Sequence, residues 1–377
     1  MSGPDARATP GRLAARWARL NGPDRVAGVD FARGLAVIGM FAAHLLWIRD
    51  PFAWTDAATW VAVVDGRSSI LFATVAGVSI GLFTGERAPL AGAALRSARV
   101  RLIVRAAMLW AIGILLILTG VPVYVILPAY ALLFLLAVPL IVLDARPLLV
   151  LASVLAVVMP VVQVALDDLP LWGTATGDAL SLALGWHYPF TTWIAFLVAG
   201  LGLARAGIRR SSVQLRMLAA GALLALVGYG AAAATGVVES EAGSSYLAAL
   251  WTARAHSTGL LEVVGSGGFA IAVIAGCLLV CRTVVVWVVL PLRAVGAMPL
   301  TAYVGQLLVW AGIATVLLGD PGDLARFRDL APFWPLALST IVLCTAWALL
   351  VGRGPLEWFI DRSSRLVARA AVGRLVQ

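Results

Sequence analysis

The chain of 377 residues contains no lysine; all 28 of its basic side chains are arginine. Charge of either sign is scarce, 12% of residues against 62% hydrophobic, and the mean hydropathy is +0.97. So little charge excludes an ordinary soluble domain and makes the bilayer the expected solvent. Cysteine is scarce too. Cys277, Cys281 and Cys344 lie in apolar runs without C-x-x-C or Cys/His spacing, which excludes a disulfide framework. They read as packing residues. The first 25 residues lack an apolar run and a small-residue cleavage site, so no cleaved signal peptide is expected and the first span acts as its own signal. No soluble domain, low-complexity tract or clear repeat stands out. An arginine-only basic set with abundant Ala, Val and Gly points to a GC-rich bacterial genome.

What is present is apolar length. A spanning helix needs roughly 20 mostly apolar residues, and ten stretches qualify: 29–48, 68–85, 102–119, 123–143, 147–166, 188–204, 213–236, 259–281, 295–318 and 333–352. An eleventh is added if "TVVVWVVLPL" (283–292) dips into the membrane by itself. With the N-terminus inside, every inner segment carries zero or positive net charge and every outer one zero or negative, as the positive-inside rule requires. The expected fold is therefore all-α, a polytopic membrane helix bundle with both termini cytoplasmic. A basic tail (1–25) precedes the transmembrane domain (26–352), and a second basic tail (353–377) follows it. The location is a bacterial plasma membrane. The basic excess reports topology and attraction to anionic lipid headgroups, not nucleic-acid binding. Trp47, Trp54, Trp60, Trp172, Trp186, Trp251 and Trp334 fall at outer ends of spans, as an interfacial belt does.

Polar groups inside spans are costly and invite a functional reading. In "RVAGVDFARGLAVIGMFAAHLLWIRD", Asp30 and Arg33 are three apart and can pair. His44 lies eleven residues on, about three turns and roughly 16 Å further along the same face. The stripe joins a cytoplasmic entrance to a ring near the outer surface. An interfacial ion pair with a snorkelling histidine is the plainer alternative. "DGRSSILFATVAGVSIGLFTG" places Asp65, Arg67 and Ser68 at the outer end of the second span, where they serve as a cap or hold a ligand. Its Gly77, Gly81 and Gly85, four apart, let another helix approach. His187, Tyr188 and Trp193 form an aromatic collar that suits sugar stacking and equally suits membrane anchoring. His256 precedes the eighth span and Glu262 lies within it, without a local counter-charge on its C-terminal side. Tyr303 and Gln306 add polar groups to the ninth, as interhelical glue or as substrate contacts. All three histidines map to the outer side. Histidine's ordinary pKa near 6.5 suits it to proton transfer or nucleophilic attack. No His-x-x-x-His or carboxylate set has metal-ligand spacing, so no metal is expected.

In order and spacing, "VDFARGLAVIGMF", "DGRSSILFATVAGVSIGLFTG", "YPFTTWIAFLVAGLGLAR", "HSTGLLEVVGSGGFA", "GAMPLTAYVGQLLVW" and "GPLEWF" resemble the heparan-alpha-glucosaminide N-acetyltransferase-like membrane proteins, and most of all their YeiB-type bacterial branch. The resemblance implies a transmembrane acyltransferase. Such an enzyme passes an acyl group from cytoplasmic acetyl-CoA to an amine or hydroxyl of an extracytoplasmic glycan-type acceptor. It implies a histidine at the centre of transfer on the outer side, for which His44 is the nearest candidate. Asp65, Glu262 and His256 would assist it. Asp30, Arg33, Arg101 and Arg105 would meet the CoA, and Arg67, Ser68, His187, Tyr188, Trp193, Tyr303 and Gln306 the acceptor. Partners are then an acyl-CoA, a sugar or other small acceptor, and lipids; a homodimer stays open. The competing class is a transporter or flippase for a small polar or lipid-linked solute, which ten glycine-rich spans with intramembrane charge also suit. No pair of corresponding broken helices marks an inverted repeat in its favour.

Overall fold

A computed structural model describes residues 17, 20–22, 25–53, 55–236 and 245–373. Most of the N-terminal tail, and Trp54 of the belt, lie outside the described residues. Among the described residues all regular elements are helical. Ten helices coincide with the ten expected spans: α1 Ala27–Leu45, α2 Arg67–Phe83, α3 Gly92–Ile117, α4 Leu127–Leu140, α5 Ala145–Asp167, α6 Phe190–Arg205, α7 Ser211–Thr235, α8 Leu260–Val280, α9 Pro299–Leu318 and α10 Phe333–Leu350. A final helix, α11, spans Pro355–Gly373.

Eight of the ten are long and apolar enough to cross a bilayer, α2 being counted with the 3-10 segment Ala57–Val64 ahead of it. The other two, α4 and α6, have 14 and 16 residues and rise only about 21 and 24 Å. That is short of a hydrocarbon core of roughly 30 Å. For α6 the shortness is tolerable because protein surrounds it: nearly its whole length is buried, against α2, α4 and α5. The stretch 283–292 forms no eleventh span. It divides into Val285–Val288 and Leu290–Ala297, with Val284 and Val288 largely exposed.

Small residues set the spacing in the centre. A Cβ on Gly77 of α2 would strike the Leu197 carbonyl of α6, and one on Gly200 of α6 would strike the Thr74 carbonyl of α2. The two backbones therefore touch reciprocally, as small-residue packing in membranes allows. One pair of helix ends is held by a buried arginine. Arg205 donates to the carbonyls of Gly81 (3.0 Å), Thr84 (3.2 Å), Glu86 (2.6 Å) and Ile141 (2.8 Å) and to the Thr84 hydroxyl (2.9 Å). A cation among C-terminal carbonyls gains from the helix dipole while satisfying orphan acceptors.

The segment read as a basic tail is largely the helix α11. Leu356, Ile360, Ser364 and Ala368 recur every four residues and form its inner face; the last three are buried. Trp358, Phe359, Leu366 and Val367 are exposed alongside Arg365 and Arg353. α11 packs on α3 and α9.

A cavity and a histidine cluster at opposite ends of the candidate site

The bundle has two polar ends. On the arginine side, Asp30 in the first turn of α1 accepts hydrogen bonds from Arg25 (Nη2–Oδ1 3.1 Å) and Arg33 (3.3 Å). Arg33 continues to the Gly296 carbonyl (2.7 Å) and the Ser79 hydroxyl of α2 (2.6 Å). This reach needs close backbones, and a Cβ on Gly34 or Gly296 would collide with the carbonyl of Leu292 or Asp30. Beside Arg33 lies a cavity of about 280 Å³. Arg33, Ser79, Arg105 and Glu357 line it here, and Phe72, Phe134, Tyr130 and Tyr303 line it deeper in the bundle.

Two acids of α11 fix it beside that cavity. Glu357 accepts from the backbone N–H groups of Leu300 (2.7 Å) and Thr301 (3.1 Å), capping α9. Asp361 meets four arginines: Arg101 (2.9 Å), Arg105 (3.2 Å), Arg353 (2.6 Å) and Arg365 (2.9 Å). Burial pushes the Asp361 carboxyl up, but Arg365 and its neighbours outweigh this and hold it below the usual carboxylate value. Arg101 and Arg105 also lie over the Phe83 ring, at 4.3 and 4.9 Å. Of the residues expected to meet CoA, Arg33 and Arg105 reach the cavity wall; Asp30 holds Arg33 from behind, and Arg101 shares Asp361 with Arg105.

On the histidine side, residues far apart in sequence converge on His256. Its Nε2 faces the Asp65 carboxylate at 3.5 Å, and its Nδ1 is buried with no partner among the described residues. The ring of His187 lies 4.9 Å away and that of Tyr188 5.6 Å. Tyr124 stacks on His187 at 3.8 Å, and Trp193 meets Tyr188 edge-on at 5.1 Å. Burial, with His256 beside it, pushes the His187 imidazole down to about 4, so it stays neutral at ordinary pH. His256 and Thr258 both have left-handed backbone, φ 62° and 55°. Glu262 stabilises that loop by accepting from the N–H groups of His256 (2.7 Å) and Thr258 (2.6 Å) and from the Ser257 hydroxyl (3.1 Å). Glu262, without a counter-charge on its C-terminal side, thus finds its partners in its own preceding loop.

His44, in the last turn of α1, lies within electrostatic reach of His256 and next to Gln306 of α9. Arg328 donates to the carbonyls of His44 (3.0 Å) and Ala43 (3.3 Å), closing the helix end. The Nδ1 of His44 and both amide atoms of Gln306 are buried without a hydrogen-bond partner among the described residues. Other expected contacts are occupied. Arg67 donates to the Tyr229 hydroxyl (2.7 Å) and the Ala62 carbonyl (3.1 Å), and Ser68 bonds back to the Val64 carbonyl (2.6 Å), a capping role. The Tyr303 hydroxyl accepts from the Ile126 N–H at 3.4 Å.

The two ends are separated by an aromatic layer. Tyr130, on the cavity wall, sits within electrostatic reach of both Tyr188 and Tyr303, and Tyr188 touches His256. Sequence reasoning missed Tyr130, Tyr124, Glu357 and Asp361. The two acids had a readable signal, four apart on an amphipathic stretch. A tyrosine within an apolar run had none.

A model of a protein family of unknown function, DUF418, matches residues 203–363. No curated protein is matched. The catalytic-domain model of heparan-alpha-glucosaminide N-acetyltransferase matches residues 25–233, more than half of the chain and including α1, α2 and the collar at His187. The chain is a multi-pass membrane protein that belongs to the heparan-alpha-glucosaminide N-acetyltransferase family.

Proposed function

We propose that the protein is a transmembrane acyltransferase of a bacterial plasma membrane. It takes an acyl group, simplest as acetyl, from acyl-CoA on the arginine side and gives it to an amine or hydroxyl of a glycan-type acceptor on the histidine side. The charge pattern of the loops makes the arginine side cytoplasmic. One observation carries the reading: a cavity bounded by Arg33 and Arg105 is lined also by Tyr130 and Tyr303, and Tyr188, within electrostatic reach of both, adjoins the His256–Asp65 pair. Its size and mainly apolar lining suit a pantetheine arm, and its arginine end suits the phosphates of CoA.

His256 is the proposed base. Asp65 accepts from Nε2–H and so leaves the Nδ1 lone pair free to take a proton from the acceptor's N–H or O–H. Glu262 positions the loop that carries His256, and the exposed Tyr124 ring, stacked on His187, offers a flat face to a sugar, with Tyr188 and Trp193 buried behind it. His44 and Gln306 offer unpartnered polar atoms beside them, a second polar contact for the acceptor.

The test mixes purified protein with labelled acetyl-CoA and a panel of amino sugars. Transfer that is lost in His256→Ala supports the proposal. Absence of binding, hydrolysis and transfer in the wild type refutes it, and counterflow of a solute in proteoliposomes would instead establish transport.

A further inference from the structure

Tyr130 carries the one buried hydroxyl on the cavity wall that has no hydrogen-bond partner among the described residues. The other hydroxyls there are committed: Ser79 to Arg33 and to the Val75 carbonyl, Tyr303 to the Ile126 N–H. Leaving a buried phenol unpaired forfeits free energy that a phenylalanine would not forfeit. The cost is recovered if a ligand supplies the acceptor. Tyr130 is also a cavity residue within electrostatic reach of Tyr188, which adjoins His256. The Tyr130 ring packs on Phe72 at 5.3 Å. A ligand held by Arg33 and Arg105 in this cavity has this hydroxyl on its wall.

Resting on the acyl-CoA reading above, we infer that the Tyr130 hydroxyl is the hydrogen-bond donor to the thioester carbonyl oxygen of the donor. The acceptor's nitrogen or oxygen adds to the carbonyl carbon, and charge gathers on that oxygen, where Tyr130 stabilises it. The C–S bond then breaks, the acyl group stays on the acceptor, and sulfur leaves as the CoA thiol with the proton the acceptor gives up. Tyr130 touches the reacting atoms and is a catalytic residue in this scheme. Arg33 and Arg105 fix the distance at which the thioester stops, so they tune reactivity from elsewhere on the cavity wall.

Full-length protein in lipid nanodiscs would be titrated with acetyl-CoA and, separately, with CoA lacking the acetyl group, for the wild type, Tyr130→Phe and Tyr130→Leu. The wild type should favour acetyl-CoA by about five- to tenfold, the worth of one hydrogen bond. Tyr130→Phe should erase that preference, leave CoA affinity and thermal midpoint unchanged or slightly improved, and slow acetyl transfer to glucosamine about a hundredfold. Tyr130→Leu, which also loses the ring, should in addition weaken both ligands. A Phe variant that keeps the preference and the rate overturns the assignment, as does a wild type that binds both ligands equally. Loss of thermal stability in the Phe variant with equal weakening of both ligands would show a structural hydroxyl instead. If the wild type binds neither ligand, the acyl-CoA reading itself fails and this inference fails with it.

Discussion

The two polar ends of the bundle are built on opposite plans. On the arginine side the charged groups are paired, although the Nε atoms of Arg101, Arg105 and Arg293 are buried without a hydrogen-bond partner among the described residues: Asp30 holds Arg25 and Arg33, and Asp361 gathers four guanidinium groups. On the histidine side the key atoms are left open, among them Nδ1 of His44, Nδ1 of His256 and both amide atoms of Gln306. Saturated charge in a membrane fixes helices against one another. Unsaturated polar atoms are stable only where the surrounding structure holds them, and such sites recur where chemistry is done. On the function proposed above, the arginine side is the frame and the histidine side the workplace.

Substitutions can break that division or sharpen it. The largest effect is expected from His256→Ala, which should cut acyl transfer by about a thousandfold while the thermal midpoint stays close to wild type. Transfer assays beside melting curves check both halves. Asp30→Ala should do the reverse on the frame. Removing one partner of a buried ion pair costs about 3–5 kcal/mol, so the variant should extract poorly and melt early, as size-exclusion and melting profiles would show. Arg105→Ala is milder. Arg101, Arg353 and Arg365 still hold Asp361, so the fold persists while KM for acetyl-CoA rises about tenfold. A large drop in kcat instead would move Arg105 out of donor binding.

The smallest effect concerns pH. Burial lowers the His187 pKa from 6.5 to about 4, so between those values the unfolded chain binds the additional proton. Stability from this group is complete above pH 6.5 and is lost as pH falls towards 4. His187→Phe keeps the stacking on Tyr124 without the titration. Its melting temperature should fall less between pH 7 and 5 than that of the wild type, by about 2 °C. Parallel curves for the two proteins would remove His187 from the acid response.

Much of the frame was legible in the sequence, because apolar length and loop charge act locally. All ten stretches are helices, and Asp30 and Arg33 pair as their spacing of three requires. Gly77 and Gly81 meet α6, as their spacing of four suggested, whereas Gly85 lies beyond the end of α2 and meets its own loop at Ala88. The workplace was legible only as a list of residue types. Asp65 and His256 are nearly two hundred residues apart, and their meeting depends on how α2 and α8 are rotated, which periodicity does not fix. His44 was the nearest candidate for the histidine that the family resemblance implies; the histidine that faces a carboxylate is His256. α11 was read as a tail because its arginines outweighed its four-residue stripe, and a surface helix needs only one apolar face.

Arg205 carries a consequence for the order of assembly. Its acceptors, at Gly81, Thr84, Glu86 and Ile141, are all synthesised before it. The joint of α2, α4 and α6 can therefore close while the chain is still leaving the ribosome, in keeping with N-terminal-first folding during synthesis. The contacts on the other face wait longer, because His256 must reach back to Asp65 and Arg328 to His44. A ribosome stalled after α6 would carry the joint of α2, α4 and α6 alone, since the bonds of Arg33 to Gly296 and of Arg101 and Arg105 to Asp361 await the second half as well.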